Sequence, residues 1–193
     1  MSSVTLPYID SQTYEDIDFR AIPFESGEYE RCTFSRCDLT DAILNNSQFI
    51  ECVFTGCNLS NAKALSASFR DVNFTGCKLT GIDMSAANPF MMVVRFEECI
   101  LDYVSFARLT LKKTEFINCS LKRAFFDDCD LSSSAFTGCD LENAVFLGTN
   151  LEKADFSTSF NYTIDPAKNK IKKAIFSLPG IIGLLDAFDI KIK

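Results

Sequence analysis

The chain has 193 residues, with 26 acids, 19 bases and no histidine, for a net charge of −7 and 47% hydrophobic content. Without histidine there is no Ser-His-Asp or Cys-His nucleophile and no histidine metal site, and no GxGxxG or GxxxxGK[ST] phosphate loop occurs, so no catalytic residue, metal ligand or cofactor is assigned. The acidic balance argues against direct nucleic-acid binding; the lack of an 18-residue apolar run argues against a membrane span, and residues 1–19 lack the basic start and apolar stretch of a signal peptide, so the chain reads as cytoplasmic.

Residues 1–16 precede the regular pattern and are expected to form an N-terminal cap. From 17 to 86 a large apolar residue recurs at every fifth position: Phe19, Phe24, Tyr29, Phe34, Leu39, Leu44, Phe49, Phe54, Leu59, Phe69, Phe74, Leu79 and Met84, with Ala64 the one small exception. A strand repeats every two residues and a helix every 3.6, so a period of five marks a solenoid. Two positions before each large residue stands a small one, such as Cys32, Cys37, Ala42, Ser47, Cys52 and Cys57. The remaining three positions are mostly polar, which suits an outer surface with tight corners.

Residues 87–93 break the register by adding two residues. Pro89 cannot donate a ladder hydrogen bond, so a bulge or kink is expected there, dividing one rod into two stacks. The break reads either as an interruption tolerated at a corner or as a partner-facing protrusion built on Phe90, Met91 and Met92. A second block over 94–160 then alternates strictly, from Phe96, Leu101, Phe106 and Leu111 through to Phe156.

Residues 161–193 differ in character. Asp165-Pro166 opens a turn, Lys168 to Lys173 is basic, and 178–188 reads as a short helix with Ile181, Ile182, Leu184, Leu185 and Phe188 apolar. That helix is expected to cap the open end of the solenoid, alone or while also pairing with a second copy.

All nine cysteines, at 32, 37, 52, 57, 77, 99, 119, 129 and 139, occupy the small inward position. They follow the repeat rather than converging on one point, so they read as buried thiols, and parallel side chains on successive coils make poor disulfides. Free thiols fit a reducing compartment. Carboxylate pairs such as Glu97-Glu98 and Asp127-Asp128 fall on outward positions of a convex rod and read as solvated surface.

The phrases CDLTDAILNN, CNLSNAKALS and CDLENAVFLGTNLEKADF resemble the pentapeptide-repeat family over about residues 17–160. The resemblance implies an all-β solenoid, a right-handed quadrilateral β-helix with four pentapeptides per coil, here closed by a short C-terminal capping helix. Residues twenty apart then stack: Phe34, Phe54 and Phe74; Leu39, Leu59 and Leu79; Phe96, Phe116, Phe136 and Phe156; Phe106, Phe126 and Phe146. At about 4.8 Å per coil, roughly 27 units make a rod about 32 Å long.

The interrupted rod with a terminal apolar helix and a strand-like Ile-Lys-Ile tail also resembles the quinolone-resistance (Qnr and MfpA-like) branch. That resemblance implies a homodimer formed through the C-terminal helix and an acidic rod imitating DNA, with DNA gyrase or topoisomerase IV as partner and fluoroquinolone susceptibility as the phenotype. The large projecting loops of some members of that branch are absent. Candidate partner-binding residues are the acids Asp102, Asp127, Asp128, Asp140 and Glu142, with Lys122 and Arg123 among them, and the outward apolar residues Phe125, Val145 and Leu147 on one face. The alternative is a structural interaction solenoid that binds another protein through that apolar face.

Overall fold

A computed structural model describes residues 6–188, 190 and 191. Thirteen short strands follow one another: β1 (Tyr8–Asp10), β2 (Thr13–Glu15), β3 (Glu28–Glu30), β4 (Thr33–Ser35), β5 (Gln48–Ile50), β6 (Val53–Thr55), β7 (Ser68–Arg70), β8 (Val72–Thr75), β9 (Val94–Glu97), β10 (Glu115–Ile117), β11 (Ala135–Thr137), β12 (Asp155–Phe156) and β13 (Ile175–Phe176). All pair in parallel, in a four-stranded sheet β1-β3-β5-β7 and a nine-stranded sheet running from β2 to β13. Register is twenty residues per coil, as in Phe34↔Phe54 and Phe49↔Phe69. Single bridges such as Asp38↔Asn58 and Phe125↔Val145 close the other two sides. The molecule is a four-sided parallel β-solenoid whose faces, taken in chain order, are led by Phe34, Leu39, Leu44 and Phe49.

Each position of the five-residue unit has its own physical task. From Tyr29 to Phe156 the large residue points inward and is buried, while Phe19, Phe24, Ile171 and Phe176 towards the two ends are partly buried. Asp or Asn before it folds back on the backbone: Asp38, Asn58 and Asp130 accept from the amides of Thr40, Ser60 and Ser132 at 2.9, 3.1 and 3.0 Å. These side chains satisfy amides that a short strand leaves without a ladder partner. Two residues after the large one the backbone turns the corner in the left-handed region, at φ 61° in Asn46 and 51° in Asn118. Asparagine, aspartate and glycine tolerate that conformation best. At Gly138 and Gly148 glycine has a second reason, since the Asn118 and Asp128 side chains occupy the space a Cβ would need.

The small inward residue completes the hydrogen bonding. Cys57 and Cys77 donate to the carbonyls of Phe34 and Phe54 at 3.3 Å, and Ser134, Thr149 and Ser159 donate to those of Leu111, Phe126 and Phe136 at 2.7, 2.8 and 2.6 Å. A residue that fits beside the ring and also donates satisfies a core carbonyl, which is why serine and threonine are tolerated inside. The nine cysteines are buried and free.

Two expectations need correction. First, the register break does not divide the rod. On the Phe34 face the rings of Tyr14, Phe34, Phe54, Phe74, Phe96, Phe116, Phe136, Phe156 and Phe176 form one ladder, with the pair across the break, Phe74 and Phe96, stacked at 5.2 Å. β8 pairs with β9 over four residues. The two added residues are absorbed on the neighbouring Phe49 face, where Pro89, Phe90 and Met91 loop out and Met92 is buried in place of a ring. Asn88 anchors the loop by accepting from the Phe90 amide at 3.0 Å.

Second, the solenoid is longer than the regular pattern. Residues 8–15, assigned to the cap, form β1 and β2 in register with β3 and β4, because Ile9 and Tyr14 carry the beat one coil further upstream. Downstream, β13 adds a coil beyond 160, with Ile171 and Phe176 continuing two faces while Tyr162 and Ile164 fill the interior left by Asn161 and Pro166. The short C-terminal helix is present as expected, built from a 3-10 turn at Pro179–Ile181, helix α1 (Ile182–Leu185) and a 3-10 turn at Asp186–Phe188. The strand-like tail at 190–192 includes Ile192, which lies outside the described residues. Among the described residues no helix is long and apolar enough to cross a membrane.

Candidate protein-interaction site

The acidic residues singled out from the sequence lie on two adjoining faces. Asp102, Asp140 and Glu142 surround Lys122 on the Leu39 face, whereas Asp127 belongs to the Leu44 face and Asp128 to the corner after it. The first group is internally neutralised. Lys122 Nζ lies 3.1 Å from Asp140 and 3.0 Å from Glu142, and Asp102 accepts from Ser120 Oγ at 2.6 Å and from the Lys122 amide at 3.0 Å. Partial burial works to raise the Asp140 pKa, but hydrogen bonds from Asn161, Lys122 and the Glu142 amide outweigh it, and the net shift is downward. Arg123 donates to the Tyr103 hydroxyl at 2.7 Å and stacks over that ring. Between these side chains is a shallow hollow of about 230 Å³.

Net charge is divided unevenly along the rod. Residues 1–100 hold 14 acids and 7 bases, and residues 101–193 hold 12 of each, so the whole net charge of −7 belongs to the first half. The candidate acids were placed in the neutral half. In the acidic half, Glu51 and Asp71 follow each other at successive coils of one corner, at φ 52° and 55°, with Glu98 on the next corner. None of the three forms an ion pair or side-chain hydrogen bond among the described residues. Other acids of this half are neutralised by arginine: Asp16 by Arg36 at 2.8 Å and Asp10 by Arg31 at 2.6 Å. Counting charge along the sequence would have shown the asymmetry; which acids stay unpaired needed the coil stacking.

The outward apolar residues Phe125, Val145 and Leu147 lie together on the Leu44 face, all exposed, with Phe125 bridged to Val145 on the next coil. Farther up the same face Ile43 and Leu65 are exposed, beside a hollow of about 270 Å³ lined by Ala62, Lys63, Ala64, Leu65, Gly81, Asp83 and Ala86. Four of its lining residues, Ala62, Ala64, Gly81 and Ala86, are alanine or glycine, which leaves the surface low there. A second groove of about 430 Å³, between Phe19, Pro23, Phe24 and Ile43, opens at the N-terminal end.

The C-terminal segment lies across the last coil. Gly180 and Gly183 face Tyr162 with no room for a Cβ at either, and the Ile164 amide donates to the Gly183 carbonyl at 3.0 Å. Of the five apolar residues assigned to this segment, Leu184 is buried and Leu185 half-buried, while Ile181, Ile182 and Phe188 are exposed. Leu178, 87% exposed, and Ile190 join them. A cavity of about 560 Å³ between the segment and the rod is lined by polar groups including Glu142, Asn161 and Asp186. Among the described residues no group of three or more cysteine or acidic side chains is placed to hold a metal ion.

The square coil, its five-residue unit and its inward ladders define a pentapeptide-repeat solenoid, and the model of the family described as "Pentapeptide repeat region" matches residues 27–106 and 90–163. The chain belongs to that family. Two solved structures of trypsin-treated variants of QnrB1, a plasmid-mediated fluoroquinolone resistance protein, share its fold. They superpose with TM-scores of 0.65 and 0.63 at 17% and 18% identity, covering 100% and 98% of this chain and the same shares of theirs. No curated protein matches the sequence.

Proposed function

We propose that this chain is a non-catalytic protein-interaction rod whose acidic half presents carboxylates to a cationic surface of its partner. The observation that carries the reading is the confinement of the entire net charge of −7 to residues 1–100, with Glu51, Asp71 and Glu98 exposed and unpaired. A partner evolved to grip phosphates offers such a surface, and the fold shared with QnrB1 makes DNA gyrase or topoisomerase IV the partner to test first, with an effect on fluoroquinolone susceptibility. Duplex DNA carries about one charge per 1.7 Å, more than this rod supplies, so the imitation is partial and the complex weakens as salt rises.

In this reading the chain acts as a dimer joined at its C-terminal end. Leu178, Ile181, Ile182, Phe188 and Ile190 stay exposed after Leu184 has anchored the segment, and this concentration of exposed apolar residues at one end supports a contact there.

The test is a gyrase supercoiling assay titrated with purified protein, with and without a fluoroquinolone, comparing the native chain with the Glu51→Lys/Asp71→Lys/Glu98→Lys variant. Inhibition or drug protection that disappears in the variant supports the reading. Absence of any effect of the native chain on gyrase or topoisomerase IV removes these enzymes as partners, and an effect indifferent to the three reversals removes the acidic half as the binding surface.

A further inference from the structure

The Phe49 face changes sign along the rod, with an exposed apolar loop between its two halves. Outward on its early coils stand Glu28 and Glu30, with Glu51 and Asp71 at the corner that follows; on its late coils stand Lys170 and Lys172, with Lys113, Lys153 and Lys173 at that corner. Of these charges only Glu30 is in an ion pair among the described residues, with Arg31. Stacking fixes the columns: Glu28, Gln48, Ser68 and Asn88 follow one another before the loop, and Thr110, Asp130, Asn150 and Lys170 after it. Between the halves Phe90, Met91 and Val93 are 64%, 63% and 57% exposed.

We propose that this face is a contact between two antiparallel copies of the chain, related by a two-fold axis across the rod between the Met92 and Leu111 coils. Such an axis keeps every residue on its own side of the strand, so each column meets itself in reverse order. Glu28 then faces Lys170, Gln48 faces Asn150 and Ser68 faces Asp130; at the corner Glu51 faces Lys153 and Asp71 faces Ser133. Each pair occurs twice. The two loops lie side by side at the axis and give the contact an apolar centre between charged arms. Two pairs run against the pattern, Ile50 with Glu152 and Arg31 with Lys173, but Arg31 is already held by Glu30 and, at 2.6 Å, by Asp10, a group of net negative charge. An axis half a coil nearer the C-terminal end would set Lys112 and Lys113 against their own copies, and one half a coil nearer the N-terminal end would set Glu30 against Glu152 and Arg70 against Lys112. A parallel pair about an axis along the rod would oppose Glu28 to Glu30 and Lys170 to Lys172, so charge selects the antiparallel contact. The contact is separate from the C-terminal end and does not depend on the partner proposed above; because it covers Glu51, this dimer and that complex exclude each other.

The experiment is sedimentation over a concentration series at low salt, with the full chain and its variants in an Ile182→Glu background that removes association through the C-terminal segment. A dimer is expected to persist in that background. Glu51→Lys and Lys153→Glu should each weaken it about tenfold or more, and combining the two should restore it to within about threefold. Glutamate and lysine both occupy this corner at positive φ in the native chain, so the exchanges leave the backbone unstrained, and circular dichroism should stay native. A monomer throughout the series in the Ile182→Glu background, a dimer indifferent to Glu51→Lys, or a charge swap without rescue would each overturn the proposal.

Discussion

Phe126 shows how much one inward residue holds. Its ring stacks between Phe106 and Phe146 at 5.3 and 5.0 Å and meets Phe116 and Phe136 edge-on at 6.2 and 6.0 Å. Removing it leaves a cavity that cannot collapse, since the strands on either side are fixed by their own ladders. Phe126→Ala is expected to cost about 3–5 kcal/mol, read as a fall in urea midpoint; an unchanged midpoint would count against the ladder as the source of stability. The thiols give a second expectation at this scale. Burial pushes Cys52 up to about 11 and Cys129 up to about 12. A thiol whose folded pKa is raised contributes stability in full below its unfolded value of about 8.5 and loses it as pH rises towards the folded one. The native protein should therefore resist iodoacetamide at pH 8 and lose stability progressively above about pH 9. Rapid labelling of several cysteines under native conditions would contradict their burial.

At the scale of elements, the two irregular segments behave differently. The loop at Pro89 is an addition outside an uninterrupted ladder, so Phe90→Ser combined with Met91→Ser is expected to shift stability by no more than about 1 kcal/mol, measured by thermal melting. The C-terminal segment instead depends on close backbone approach. Gly183→Ala pushes against the Tyr162 backbone and should release the segment, exposing Tyr162 and speeding proteolysis at the C-terminal end while the rest of the rod keeps its melting transition. Local detachment of this kind is consistent with a solenoid whose coils contact only their neighbours. A Gly183→Ala chain as resistant to protease as the native one would mean that the segment is held by its apolar side chains alone. These elements also show where sequence reading stopped. The break near Pro89 was legible as two extra residues, but whether they bend the rod or loop out depends on which face absorbs them. Ile171 and Phe176 keep the five-residue beat, yet Asn161 and Pro166 before them interrupt it, and the extra coil depends on Tyr162 and Ile164 filling the interior instead.

For the whole molecule, charge and pH are linked through carboxylates that fold into ion pairs and Asx turns. Hydrogen bonding by Arg20 holds Asp18 down to about 2, and Arg36 lowers Asp16. Asp130 is also lowered, the bonds from Ser132 and Lys112 outweighing the opposing effect of partial burial. A carboxylate with a depressed folded pKa stabilises above its unfolded value of about 3.9 and loses that contribution as pH falls through the folded value. Melting temperature should hold between pH 7 and about 5 and then decline from about pH 4 to 2. A decline that begins near pH 6 would point to some other titrating group.

The sequence by itself determined the solenoid, its inward ladders, the burial of the nine cysteines and the excess of acid, because each follows from a repeat so regular that position in the unit dictates environment. Tertiary structure alone decided which charges cancel and which apolar residues share a patch. Lys122 neutralises Asp140 and Glu142, from eighteen and twenty residues away, because one turn of the coil brings them within 3.1 Å. Ile43 and Leu147 share a face across more than a hundred residues for the same reason. A period of five specifies which way a side chain points, whereas the surface a partner meets is assembled across coils, from residues whose spacing along the chain carries no mark of their proximity.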